Sequence, residues 1–158
     1  DETLARMLAE RVREQLTAEF TQGEPVRVAL VDHGSPVAAV TAVRDTLAKQ
    51  LAVKLGSEVT EVAGCSMERR AGPEYDFNEP LLAKLLARAG WNTGPVIVAQ
   101  LFLAPGRHAG PNGDIATICA AAATASPALR IARTAVLGPH PALLDLLANR
   151  LAQISGQD

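Results

Sequence analysis

At 158 residues the chain has the length of a single domain. Its composition, 48% hydrophobic against 20% charged, suffices for one packed core, and with 3% aromatic residues that core must be built from Ala, Leu and Val. A net charge of −2 argues against nucleic acid as a partner, and no apolar run approaches the ~20 residues that span a bilayer, so no membrane partner is expected.

Residues 4–20 carry Leu4, Leu8, Val12 and Leu16 at steps of four with charges between them, one stripe of an amphipathic helix. Gly23 and Pro25 stop it, so residues 1–24 are expected to be a leading helix and linker and residues 25–158 an α/β domain. The stripe needs a partner, either the domain's own surface or another chain. A start at Asp1-Glu2 without Met is compatible with a piece processed or excised from something longer, and no signal-peptide pattern opens the chain.

A unit of apolar strand, turn and amphipathic helix then repeats. Residues 26–31 read as the first strand and 36–55 as its helix, with Val40, Val43, Leu47, Leu51 and Leu55 inward and Gly56 closing it. Residues 59–67 are bounded like a second strand, followed by a helix over 78–89 with Asn78 as its N-cap and Pro80 near its first turn. Residues 95–103 form the strongest strand pattern, apolar throughout, as a central strand covered on both sides is. A helix over 114–125, a fourth strand over 129–137 and a last helix over 141–154 complete the pattern. Such alternation implies a three-layer, doubly wound, mostly parallel four-stranded sheet with an extra N-terminal helix. Cys65 and Cys119 form no C-x-x-C and lie in apolar runs, so both are expected as buried free thiols, a usage that suits a reducing cytoplasm.

Open parallel sheets bind ligands beyond the carboxyl ends of their strands. All three histidines of the chain fall there: His33 after the first strand, His108 after the third and His140 after the fourth. If the first and third strands are neighbours, His33 and His108 share one crevice, where two imidazoles can hold a divalent ion or carry protons. Glu68, after the second strand, would add a third ligand or a base. His140, between two prolines at a helix start, reads first as a capping residue and second as part of the rim. Asp114 reads as the N-cap or first-turn acid of its helix. Gly34-Ser35 and the Pro105-Gly106 loop let backbone approach a ligand, and Arg69, Arg70 and Arg107 supply guanidinium groups for carboxylates. The segment Glu74-Tyr75-Asp76-Phe77-Asn78 is expected as a packed lid. No G-x-G-x-x-G or G-x-x-x-x-G-K-[ST] follows any strand, so no nucleotide cofactor is expected.

Val31-Asp32-His33-Gly34-Ser35, with Leu101-Phe102-Leu103-Ala104-Pro105-Gly106-Arg107-His108 and Gly113-Asp114-Ile115, resembles the class II tetrapyrrole chelatases, the CbiX-like sirohydrochlorin cobaltochelatase/ferrochelatase family. The resemblance runs over about residues 26–152. It implies a chelatase-like sheet and insertion of Co²⁺, Fe²⁺ or Ni²⁺ as substrate into a tetrapyrrole without ATP, in cobalamin or sirohaem synthesis. His33 and His108 stand at the family's histidine positions, and Glu68 and Glu79-Pro80 match its acidic positions. The stretch between them, 69–78, is longer than usual. Larger members fuse two such units and the smallest pair as homodimers, so either a homodimer or a second chelatase-like domain is implied as partner. A metal- or tetrapyrrole-binding module without turnover is the alternative, and a flavodoxin-like flavin binder shares the fold class.

Overall fold

Strong local periodicity produces an alternating chain. The computed structural model describes residues 2–156. It runs α1 (Glu2–Glu19), β1 (Arg27–Asp32), α2 (Ala38–Leu55), β2 (Glu61–Ser66), α3 (Leu82–Ala87), β3 (Gly94–Gln100), α4 (Gly106–Ala109), α5 (Asp114–Ala125), β4 (Leu129–Arg133) and α6 (Ala142–Ser155). Short 3-10 turns occupy Gly56–Glu58 and Pro73–Asn78. The four strands make one sheet in the order β2-β1-β3-β4, parallel throughout, as the alternation implies.

The apolar runs of β1 and β3 are buried on both faces because helices cover both. On one face Val28, Leu30, Ile97 and Ala99 pack with residues of α1 and α2. On the other, Ala29, Val31, Val96 and Val98 pack with Leu82, Leu85 and Leu86 of α3 and Ile115 and Cys119 of α5. The leading helix finds its partner within the chain: Leu8 and Val12 are fully buried, and Leu4 and Leu16 pack at the edge of the same cluster.

Three expectations are corrected. Val40 and Val43 are exposed by 51% and 58%, whereas Thr41, Arg44, Ala48, Leu51 and Leu55 take the inward positions together with Leu47. The first turns of α2 are rotated this way because a polar cluster under them takes Thr41 and Arg44 as partners. The helix expected over 78–89 begins only at Leu82; Asn78 closes the preceding 3-10 turn and caps nothing, because its amide is bonded elsewhere. The third and fourth strands stop at Gln100 and Arg133, short of 103 and 137. Hydrogen bonds still tie the following loops together, from the Leu101 N–H to the Val31 carbonyl (2.9 Å) and from the Leu137 N–H to the Phe102 carbonyl (2.8 Å).

Both cysteines are free and buried. Burial pushes the Cys119 thiol up to about 11 and raises Cys65 as well, which keeps both in the unreactive thiol form.

Candidate functional site

The strand order reverses between β1 and β3. β2 lies on the outer edge of β1 and β4 on the outer edge of β3, and the carboxyl ends of the two central strands are where such a sheet takes its ligands. His33 directly follows β1, and His108 belongs to the one-turn α4 after β3. Their rings meet edge to face, centroids 4.7 Å apart and planes at 72°. Glu68 stands on the other side of His33, its Oε1 3.4 Å from Nε2. The three residues singled out as metal ligands thus lie in sequence across one edge, with His33 in the middle. Among the described residues, no three His, Cys, Asp or Glu side chains close on a common point as a resident metal site does.

The His33 loop is held by backbone contacts with the loop after β2. The Met67 N–H donates to the Asp32 carbonyl (2.8 Å) and the Glu68 N–H to the His33 carbonyl (3.2 Å), carrying the β1–β2 ladder past both strand ends. Gly34 has φ +97°, and a Cβ there would lie 1.9 Å from the Glu68 carbonyl oxygen, so only glycine lets the two loops touch. Ser35 is clamped by fully buried Asn78: the Ser35 N–H donates to Oδ1 and Nδ2 donates to the Ser35 carbonyl, both at 2.9 Å. The Ser35 hydroxyl accepts the Val37 N–H ahead of α2 (3.0 Å). Gly34 and Ser35, expected to approach a ligand, therefore also shape the loop that carries His33.

Beneath this loop lies a buried guanidinium. Arg44 is 2% exposed; its Nη1 donates to Ser66 Oγ (2.6 Å) and the Asn78 carbonyl (3.2 Å), and its Nε and Nη2 to Asp45 Oδ1 (2.9 and 2.7 Å). Ser66 Oγ passes a hydrogen bond to Asp32 Oδ1 (2.7 Å), which lies 3.8 Å from Nη1. Gly64 makes the room: a Cβ there would come within 3.1 Å of Arg44 Nε. Arg44 and Asn78 went unrecognised as support for the site. The spacing 41, 44, 48, 51, 55 does place Arg44 on an inward stripe, a signal masked by the valine stripe beside it.

His108 is braced differently, since its Nδ1 lies 2.6 Å from Asp114 Oδ2 at the start of α5. Asp114 is a first-turn acid, as expected, but its hydrogen bond goes to the histidine. Of the three arginines, Arg69 is engaged by its own loop, bonded to Glu79 (2.9 Å), Asp76 (3.0 Å) and the Gly72 carbonyl (2.9 Å). Hydrogen bonds to Glu79, from Lys84 foremost and then from the Leu81 N–H and Arg69, hold its carboxyl below the usual range. Arg70 lies 5.9 Å from the Tyr75 ring centre and Arg107 is exposed on α4, while Gly106 (φ +45°) starts that turn. Tyr75 and Phe77 meet edge to face 6.4 Å apart, so the 3-10 segment packs as expected of it. His140 does not reach the crevice: it is buried against α1, with Nε2 3.0 Å from Glu10 and Nδ1 accepting the Ala142 N–H at the start of α6 (3.2 Å). Capping, the simpler reading, describes it.

The wall beside His33 is apolar. A cleft of about 380 Å³ is lined by Asp32, His33, Gly34, Arg44, Leu101 and the exposed Val40 and Val43. Val43 also borders a groove of about 550 Å³ between α2 and α6.

A doubly wound parallel sheet with two imidazoles and a carboxylate gathered at its switch point defines the class of α/β fold to which the chain belongs. The chain belongs to the CbiX family, whose model matches residues 27–154. No curated protein matches it at a significant level. Among solved structures it is similar to SirB from Bacillus subtilis with Fe³⁺, with a TM-score of 0.71 at 18% identity. The match covers 99% of this chain and 57% of that one, so the chain spans little more than half the length of its structural relative.

Proposed function

We propose that this chain inserts a divalent metal ion, Co²⁺ or Fe²⁺, into sirohydrochlorin or a related tetrapyrrole without ATP, in cobalamin or sirohaem synthesis. The observation that carries the proposal is the contact between His33 and His108, 4.7 Å apart at the switch point, in a member of the CbiX family. Insertion requires that water be stripped from the ion and that two pyrrole N–H protons be removed. His33, His108 and Glu68 supply ligands for the first task and bases for the second. An open, incomplete ligand set suits an ion that must leave with the product, since a closed site would retain it. The flat macrocycle lies against Val40, Val43 and Leu101, and Gly34, Ser35 and Gly106 let backbone approach it. Its carboxylates meet Arg70 and Arg107, while Arg69 braces the loop beneath them. Free buried thiols fit a cytoplasmic location.

An anaerobic absorbance assay with sirohydrochlorin and Co²⁺, Fe²⁺ or Ni²⁺, against protein-free controls, tests this reading. Faster metallation with one ion establishes the activity and identifies the ion. Metal binding without acceleration assigns the chain to the alternative, a metal- or tetrapyrrole-binding module.

The same reading includes pairing with a second copy or with a second chelatase-like domain. Helix α6 has no buried residue; Leu144, Leu147, Leu151 and Ile154 are exposed on it, and Leu147 borders the groove against α2. For the homodimer we expect a dimer by light scattering, converted to a monomer by L147E/L151E; a monomeric wild-type chain removes the homodimer and leaves pairing with a second domain.

A further inference from the structure

We propose that Asp114 is a positioning residue for His108, accepting the Nδ1 proton and so fixing the ring tautomer that leaves Nε2 as the metal-facing nitrogen. The inference rests on the chelatase reading for its use but on geometry for its existence.

The Nδ1–Oδ2 separation is 2.6 Å, short for a hydrogen bond and of the charge-assisted kind. The backbone between the two residues is built to bring them together. A Cβ on Gly113 would lie 2.5 Å from the His108 carbonyl oxygen and 2.7 Å from that of Arg107, and a Cβ on Gly110 would lie 2.8 Å from the Gly106 carbonyl. Both glycines therefore let the chain fold back on α4 tightly enough for the first residue of α5 to reach the ring. A carboxylate at that helix N-terminus is itself favoured by the free N–H groups behind it. Gly113, not Asp114, holds the N-cap position of α5, and it offers no side-chain cap.

The two imidazoles are thereby unequal. His33 has a carbonyl at Nδ1, that of Gly34 at 3.2 Å, and the Glu68 carboxylate near Nε2 at 3.4 Å. His108 has its carboxylate at Nδ1 and its Nε2 turned from it. A carboxylate behind a histidine fixes the tautomer, holds the ring plane and makes the opposite nitrogen a better donor to a metal. His108 is thus the pre-set ligand of the pair, and Asp114 acts only through it.

Long-range ¹H–¹⁵N spectra of the metal-free protein read the tautomer directly. The expected result is a protonated Nδ1 and an unprotonated Nε2 on His108 in the wild type, with that preference lost in D114A. Titration with Co²⁺ alone, followed by its visible absorption, should show about 10–100-fold weaker binding in D114A, the usual consequence of removing such a partner. Circular dichroism checks that the variant is folded. A wild-type His108 protonated on Nε2 overturns the proposal, whether or not D114A folds. So does a folded D114A with unchanged tautomer and unchanged Co²⁺ affinity. If the wild type shows the Asp114-dependent tautomer and Co²⁺ affinity yet does not accelerate metallation, the positioning role stands and the chelatase reading fails.

Discussion

The double variant H33A/H108A should metallate sirohydrochlorin no faster than a protein-free control while keeping its fold. One positioned acid–base group contributes about 10²–10⁴-fold, and metal ligation adds to that, so loss of both rings should cost at least about 10³-fold in kcat/KM. The single variants should each fall most of that distance, because residues acting as a unit lose their effect together. Stability should fall only modestly. The side chains of His33 and His108 are 47% and 32% exposed and neither belongs to a buried cluster, so losing the Asp114 hydrogen bond and the ring contact should cost about 1–2 kcal/mol and leave the fold intact. Steady-state rates and a thermal melt on the same preparation check both halves. Metal insertion at the wild-type rate would remove the proposed site.

Arg44→Ala should behave in the opposite way, lowering stability by about 3–5 kcal/mol, the usual cost of removing one partner from a buried charged cluster. The guanidinium is 2% exposed and ties α2 to Ser66 at the end of β2 and to Asn78 before α3. Its removal opens a cavity and leaves Asp32, itself 8% exposed, without the nearby cation. Urea unfolding should show a lower midpoint with an unchanged m-value. Replacing the pair together, R44M/D32N, should recover part of the loss, since no buried charge is then uncompensated. A loss for Arg44→Ala below about 1 kcal/mol would mean that the cluster is hydrated and open. Asp32 and Ser66 stand immediately before the His33 and Glu68 loops, so metal insertion should fall as well, with the loops no longer held against each other.

The architecture was legible because hydrophobic period is a local property. Alternating apolar runs and four-residue stripes announced four strands and their helices. The α5 boundaries matched at both ends, and Gly56 closed α2 as its position required. The placement of His33 and His108 was legible for the same reason: in a parallel alternating chain, residues just after strands share one edge. The sequence by itself therefore determined the fold class and the elements that carry the candidate site. Which polar groups meet was decided by the tertiary structure, because those partners are distant along the chain. Ser66 bonds Asp32 34 residues away, and Asn78 holds Ser35 across 43. Such contacts turned Asn78 from a helix cap into a clamp, turned Arg44 inward with Val40 and Val43 outward, saturated Arg69 and drew His140 away to α1. Asp114 is the instructive case. Its helical position was readable, but its bond to His108 depends on two close backbone approaches at Gly110 and Gly113 that only the folded loop brings about. Periodicity tells which side of an element is apolar; the bonding of a buried polar group is a property of three-dimensional packing, where an unpaired partner costs more than any local preference returns.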